Sequence, residues 1–116
     1  MARPSFLIEQ SQPQRNQWVW TYEITVVNES DEPVQLVDRH WIITDAGGEV
    51  EEVRGEGVIG QQPLIGAGET FSYSSFCPLA TDYGFMRGSF GMVKGDSVRF
   101  EAAIAPFVLL TQAQLN

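Results

Sequence analysis

The residues with the most chemical promise lie between Arg54 and Gly68, a stretch that holds five of the chain's eleven glycines. Gly55-Glu56-Gly57-Val58-Ile59-Gly60 spells G-x-G-x-x-G, the pattern of a turn whose backbone amides cradle a phosphate. In a dinucleotide fold that pattern follows a strand and opens a helix, whose N-terminal amides hold the pyrophosphate. Here Pro63 follows within three residues of Gly60, and Gly66 and Gly68 come soon after, so no helix propagates from it. Context therefore excludes a Rossmann-type site. A helix-free nest of backbone N–H groups stays open, as a pyrophosphate or nucleotide site at Arg54, Gly55, Gly57 and Gly60. Against it, Arg54 is the only basic residue beside the motif, and Glu56 inside it repels phosphate. The residues favour a structural loop, with Glu56, Val58 and Ile59 as the side chains placed to touch a partner.

Other chemistry is sparser. His40 is the sole histidine, and a metal centre ordinarily needs two or more His or Cys ligands at matched spacing. Asp38 lies two residues earlier on the same strand face, where a carboxylate–imidazole pair is open to it. Glu49 and Glu51 share a face and suit at most a loose Mg²⁺ or Co²⁺ contact through oxygen and water. No metal site and no cofactor are expected. Cys77 is the only cysteine; with no base or cation near it in sequence, it reads as a core thiol rather than a nucleophile. Ser74 and Ser75 form no nucleophile elbow. No catalytic set emerges, so the chain is expected not to be an enzyme.

Charge narrows the partners. The formal net charge is −8, which opposes nucleic acid and anionic membranes, since both need a basic face. No apolar run nears the roughly 20 residues of a membrane span, and the N-terminal residues lack a secretory apolar region. A single cysteine permits no internal disulfide, which fits a reducing cytoplasm.

These residues must be positioned by strands. A chain of 116 residues is expected to form one domain, with a core over 6–110 and a tail over 111–116. Trp18, Trp20, Tyr22, Ile24 and Val26 alternate with Val19, Thr21, Glu23, Thr25 and Val27, which predicts a half-buried antiparallel strand. Phe6–Ile8 reads as a short strand and 10–16 as a loop. In Val34–Thr44 the apolar face switches near Asp38 and Arg39, which predicts a β-bulge or a crossing between sheets. Asp45–Gly48 reads as a hairpin turn, and 49–54 as an acidic strand guarding a sheet edge. Further strands are expected over 69–75, 84–93 and 98–104. Residues 76–82 read as a connection, Lys94–Asp96 as a turn, Pro106 as an interruption, and 107–110 as a last edge strand. No window keeps a helical pattern over three turns. Seven or eight short strands predict an all-β sandwich of two antiparallel sheets, whose edges leave self-association into a homodimer, or strand addition, open.

Several stretches resemble the ApaG family, also called CorD: Val34-Gln35-Leu36-Val37-Asp38-Arg39-His40-Trp41-Ile42-Ile43-Thr44-Asp45, Val53 to Pro63, Gly68 to Ser75, Gly84 to Phe90, and Ile104-Ala105-Pro106-Phe107. The resemblance implies an immunoglobulin-like or fibronectin-III-like β-sandwich with no established catalysis. It links the chain to cobalt and magnesium efflux or resistance, and to protein-binding modules at the ends of some eukaryotic proteins. It also brings the suggestion that the glycine motif binds pyrophosphate. Two departures stand out: Gly66-Ala67 where the family usually has a proline before Gly68, and Phe76 where it commonly has glycine. The combined expectation is a cytoplasmic, non-catalytic binding module for an unidentified protein partner.

Overall fold

A computed structural model describes residues 1–95 and 97–115. Among these residues eight strands make two antiparallel sheets: β1 (Ala2–Phe6), β2 (Trp18–Val27), β3 (Val34–Asp45), β4 (Val50–Glu56), β5 (Leu64–Ile65), β6 (Thr70–Leu79), β7 (Tyr83–Lys94) and β8 (Val98–Leu110). One sheet runs β1-β2-β6. The other runs β4-β3-β7-β8, with β5 also pairing β3. The expected all-β sandwich is what the chain forms.

Strand β2 explains why the layers stack. Its alternation buries Trp20, Tyr22 and Ile24 and leaves Glu23 exposed. Those side chains meet Leu36 and Trp41 of β3, and Met86, Phe90 and Met92 of β7. Tyr22 and Trp41 meet edge-on, with ring centroids 5.5 Å apart, the arrangement that ring quadrupoles prefer. A second tie crosses the sandwich: Trp20 Nε1 donates to the Leu110 carbonyl at 2.8 Å.

The face switch in β3 is a β-bulge at Val37. Leu36 pairs Met92, while Asp38 pairs the adjacent Gly91. Before it Val34 and Leu36 are buried; after it the buried residue is Trp41. The extra residue turns Arg39 to the Trp41 side. The hairpin at Asp45 forms as expected, with the Asp45 carboxylate accepting from the Gly47 and Glu49 amides.

Several boundaries differ from expectation. The first strand is Ala2–Phe6, not Phe6–Ile8, and Ile8–Gln10 forms a 3₁₀ turn. Pro4 is tolerated because β1 is an edge strand, where a missing N–H costs no ladder bond. The loop over 10–16 contains a second 3₁₀ turn, Pro13–Arg15, ended by Asn16 at φ 54°. Phe76, Cys77, Pro78 and Leu79 continue β6 rather than forming a connection, and here too the proline lies on an edge strand. Pro106 does not interrupt β8: the strand takes it up in a second bulge, where Ile104 pairs Gly88 and Phe107 pairs Met86. The tail contains a one-turn helix, α1 (Gln112–Leu115). Asp96 of the expected Lys94–Asp96 turn lies outside the described residues, as does Asn116.

Candidate functional site

The glycine stretch is not one loop. Arg54, Gly55 and Glu56 belong to β4, which lies along the edge of β3. Two residues of β5 pair further along that same edge. Between them the chain makes an excursion at the level of the β3 bulge. The Val37 carbonyl there accepts from the Gly57 amide and from Gln62 Nε2, both at 2.8 Å. The Leu36 amide donates to the Pro63 carbonyl at 3.0 Å. The bulge and the excursion thus complete each other's hydrogen bonds.

The excursion is a tight reverse turn. The Val58 amide donates to the Gln61 carbonyl at 2.8 Å, and the Gln61 amide returns a bond to Val58 at 2.9 Å. Its two central residues both have positive φ, 44° at Ile59 and 76° at Gly60. That is the type I′ pattern, which usually takes Asn-Gly or Gly-Gly. A β-branched residue in the left-handed region is strained. Ile59 nevertheless occupies it, with 54% of its surface exposed.

Each glycine of the motif has a local reason. A Cβ on Gly55 would come within 2.8 Å of Arg39 Nη1, so Gly55 makes room for the guanidinium to lie across β4. Gly57 has φ 65°, and a Cβ there would overlap the Gln61 carbonyl oxygen. Gly60 supplies positive φ with open space around it. Arg39 Nη1 donates to the Glu56 carbonyl at 3.1 Å and to the Gly57 carbonyl at 2.9 Å, fixing the strand end.

The candidate residues therefore scatter. Arg54 leaves the motif, with its side chain 72% exposed and Nη2 4.0 Å from Glu52. Gly55 lies in the strand, and the Gly57 and Val58 amides are already donated to Val37 and Gln61. The consecutive free amides of an anion nest are not gathered here. Val58 requires a correction: expected to face a partner, it is wholly buried, because the turn folds it back into the core. Glu56 and Ile59 remain exposed.

His40 pairs with Glu52, Nε2 to Oε1 at 2.9 Å, and not with Asp38. Asp38 is held instead by Arg99 through two hydrogen bonds of 2.9 Å. That bridge passes over Gly91, where a Cβ would overlap both partners. The Arg99 guanidinium keeps the Asp38 carboxyl below the usual carboxylate range. Cys77 is buried, and desolvation pushes its thiol up to about 12, which makes it a core group. Among the described residues no three His, Cys, Asp or Glu side chains gather where they can hold a metal ion. None of the described helices is long and apolar enough to cross a membrane.

Behind the turn lies a cavity of about 310 Å³ lined by Tyr22, Arg39, Trp41, Glu56, Val58, Ile59, Gly60, Tyr73 and Ser75. Alternation placed Tyr22 and Tyr73 in the core, but nothing in the sequence paired them with Arg39. The face switch at the bulge is the one signal that turns Arg39 inward.

A family model described as the ApaG domain matches residues 8–94. The chain belongs to the ApaG family. It is 51% identical to Protein ApaG of Anaeromyxobacter dehalogenans (strain 2CP-C) over 115 residues, covering 99% of this chain and 90% of that one. It is likewise 51% identical to Protein ApaG of Pseudomonas syringae pv. tomato over 111 residues, covering 96% and 88%. Among solved structures it is similar to the putative ApaA protein from Bordetella pertussis. There the TM-score is 0.93 at 46% identity, covering 97% of this chain and 91% of that one. The ApaG match includes β3, β4 and the Ile59–Gly60 turn, so the geometry above lies within the family's domain.

Proposed function

We propose that this domain is a non-catalytic binding module that docks a protein partner on the Ile59–Gly60 turn. The observation that carries the reading is Ile59 itself, a strained β-branched residue held at φ 44° with half its surface exposed. An apolar tip on a rigidly bonded turn is a natural anchor for a partner. Glu56 flanks it as polar rim. The family resemblance supplies the setting: the cytoplasm, and cobalt or magnesium homeostasis.

The test is capture of partners from native cytoplasm with wild type and Ile59→Asn. Asparagine suits this turn position, so the variant is expected to unfold about 0.5–1 kcal/mol later in urea than wild type. It is also expected to lose a defined partner at least tenfold, about 1.4 kcal/mol. Equal capture by both proteins would remove the turn from the contact surface. Amide shifts at Gly55, Gly57 and Gly60 on adding pyrophosphate would favour the anion-binding alternative instead.

A further inference from the structure

Among the described residues, every sheet edge but one carries features that keep an edge from pairing with another chain. Strand β4 bears Glu51, Glu52, Arg54 and Glu56, and β5 beside it is two residues long. Strand β1 bears Arg3 and Pro4, and β8 bears Arg99, Glu101 and the bulge at Pro106. Strand β6 differs. It runs for ten residues without a charged side chain, and its proline, Pro78, stands next to its end.

The free side of β6 follows from its ladder. The Asn28 amide donates to the Glu69 carbonyl at 3.0 Å. Ladder bonds recur at every second residue of an antiparallel pair, so Phe71, Tyr73, Ser75 and Cys77 spend their N–H and C=O groups on β2. Thr70, Ser72, Ser74 and Phe76 turn theirs the other way, where no described strand pairs them. All four are exposed, Phe76 by 61%.

Strand β4, in the facing sheet, lies across from this edge. Pro78 and Leu79 share a cavity of about 520 Å³ with Glu49 and Glu51, and Tyr73 and Ser75 share the smaller one with Glu56. The Cys77 thiol is raised first by desolvation and then by the Glu51 charge, which places that carboxylate beside β6. None of the three carboxylates joins an ion pair among the described residues.

We propose that β6 takes up an extended segment of a basic protein partner as an added antiparallel strand, its inward lysine or arginine side chains facing Glu49, Glu51 and Glu56. Main-chain bonds to Ser72, Ser74 and Phe76 supply affinity, and alternate side chains supply selectivity. The residues bonded to β6 keep their side chains on its outer face, so the residues between them point inward at the acids. A second copy fits less well. Joining two β6 edges brings the two β4 strands toward one another, acid against acid, in a chain of net charge −8. Strand addition along β6 does not require a partner at the tip of the Ile59–Gly60 turn.

The experiment titrates the full chain with a short capped peptide of alternating threonine and lysine. Binding is expected with a dissociation constant of about a millimolar or tighter. Hydrogen exchange at the Ser72, Ser74 and Phe76 amides is expected to slow about tenfold once the peptide stands at about ten times that constant, while Phe71, Tyr73 and Ser75 change less. N-methylation of the threonines, whose amides face β6, should weaken the peptide about tenfold or more, and N-methylation of the lysines far less. Glu51→Gln should weaken it about two- to fivefold, the range of an exposed ion pair. Ser74→Pro removes an outward N–H and no bond to β2, and should weaken it about tenfold or more. Should that variant fail to fold, the methylated peptides carry the test on the wild-type chain. Flat titrations would overturn the assignment, as would equal binding by the threonine-methylated peptide or by one with glutamate for lysine. Uniform protection along β6 would overturn it too. Slowing of the same three amides as the chain is concentrated without peptide would assign the edge to a second copy instead.

Discussion

Gly57 and Gly60 both take positive φ, yet only one of them is crowded. A Cβ at Gly57 meets the Gln61 backbone, which has nowhere to go, whereas Gly60 faces open space. Gly57→Ala is therefore expected to cost about 2–4 kcal/mol, through strain and a displaced turn. Gly60→Ala should cost only about 1 kcal/mol for the left-handed backbone. Urea denaturation of the two variants checks the ranking, and equal losses would contradict it. The Arg99 contacts give a pH prediction. Because the folded carboxyl of Asp38 titrates below its unfolded value, the stability it brings is complete above the ordinary carboxylate pKa of about 3.9. It is lost as pH falls through the depressed folded value. Wild type should then lose melting temperature more steeply than Asp38→Asn between about pH 5 and about pH 2. Parallel curves would mean that Arg99 gives Asp38 no preference for the charged form. The Asp38–Arg99 pair was illegible beforehand, because the two residues are sixty-one positions apart and only sheet pairing brings them together.

At the scale of elements, the β3 bulge organises the functional end of the domain. By inserting Val37 it reverses which side chains face inward, turns Arg39 toward Tyr22 and Tyr73, and exposes a carbonyl that the glycine excursion then satisfies. The reversal was visible as a break in alternation, because period-two patterning records which face is buried. What the pattern did not record was the partner of the exposed carbonyl. The two sheets are also pinned by Trp20, whose indole N–H reaches Leu110 at the end of β8. Trp20→Phe is expected to leave that carbonyl unpaired and a gap in the core, costing about 2–4 kcal/mol. A shift in the urea midpoint at unchanged slope is the signature, and a negligible shift would show the tie to be dispensable. Strands β6 and β8 ran past their prolines because Pro78 lies on an edge strand and Pro106 in a bulge. Within a strand pattern, a proline is informative only once the neighbouring strand is known.

The whole molecule is a layered all-β body of 51 × 24 × 22 Å. Its central pairings join distant parts of the chain, as when Trp18 meets Leu79 across β2 and β6. Such contacts repay loop-closure entropy late, so folding is expected on the millisecond to second scale rather than in microseconds. Stopped-flow fluorescence of Trp18, Trp20 and Trp41 reads this directly, and a relaxation faster than about 100 μs would be inconsistent with the pairing order.

Alternation, turn residues and the absence of helical periodicity determined the layered architecture and most of its strands, because burial on one face writes itself into every second residue. The proline and two further glycines after the motif likewise ruled out a helix-borne phosphate site, since a helix opening at Gly60 would not propagate through them. The tertiary structure alone decided what the glycines are for. One clears space for Arg39, one lets a backbone pass a carbonyl, and one completes a turn strained by its isoleucine. It also decided that Tyr73, Tyr22 and Arg39 share a cavity, because groups on facing sheets have no fixed spacing along the chain.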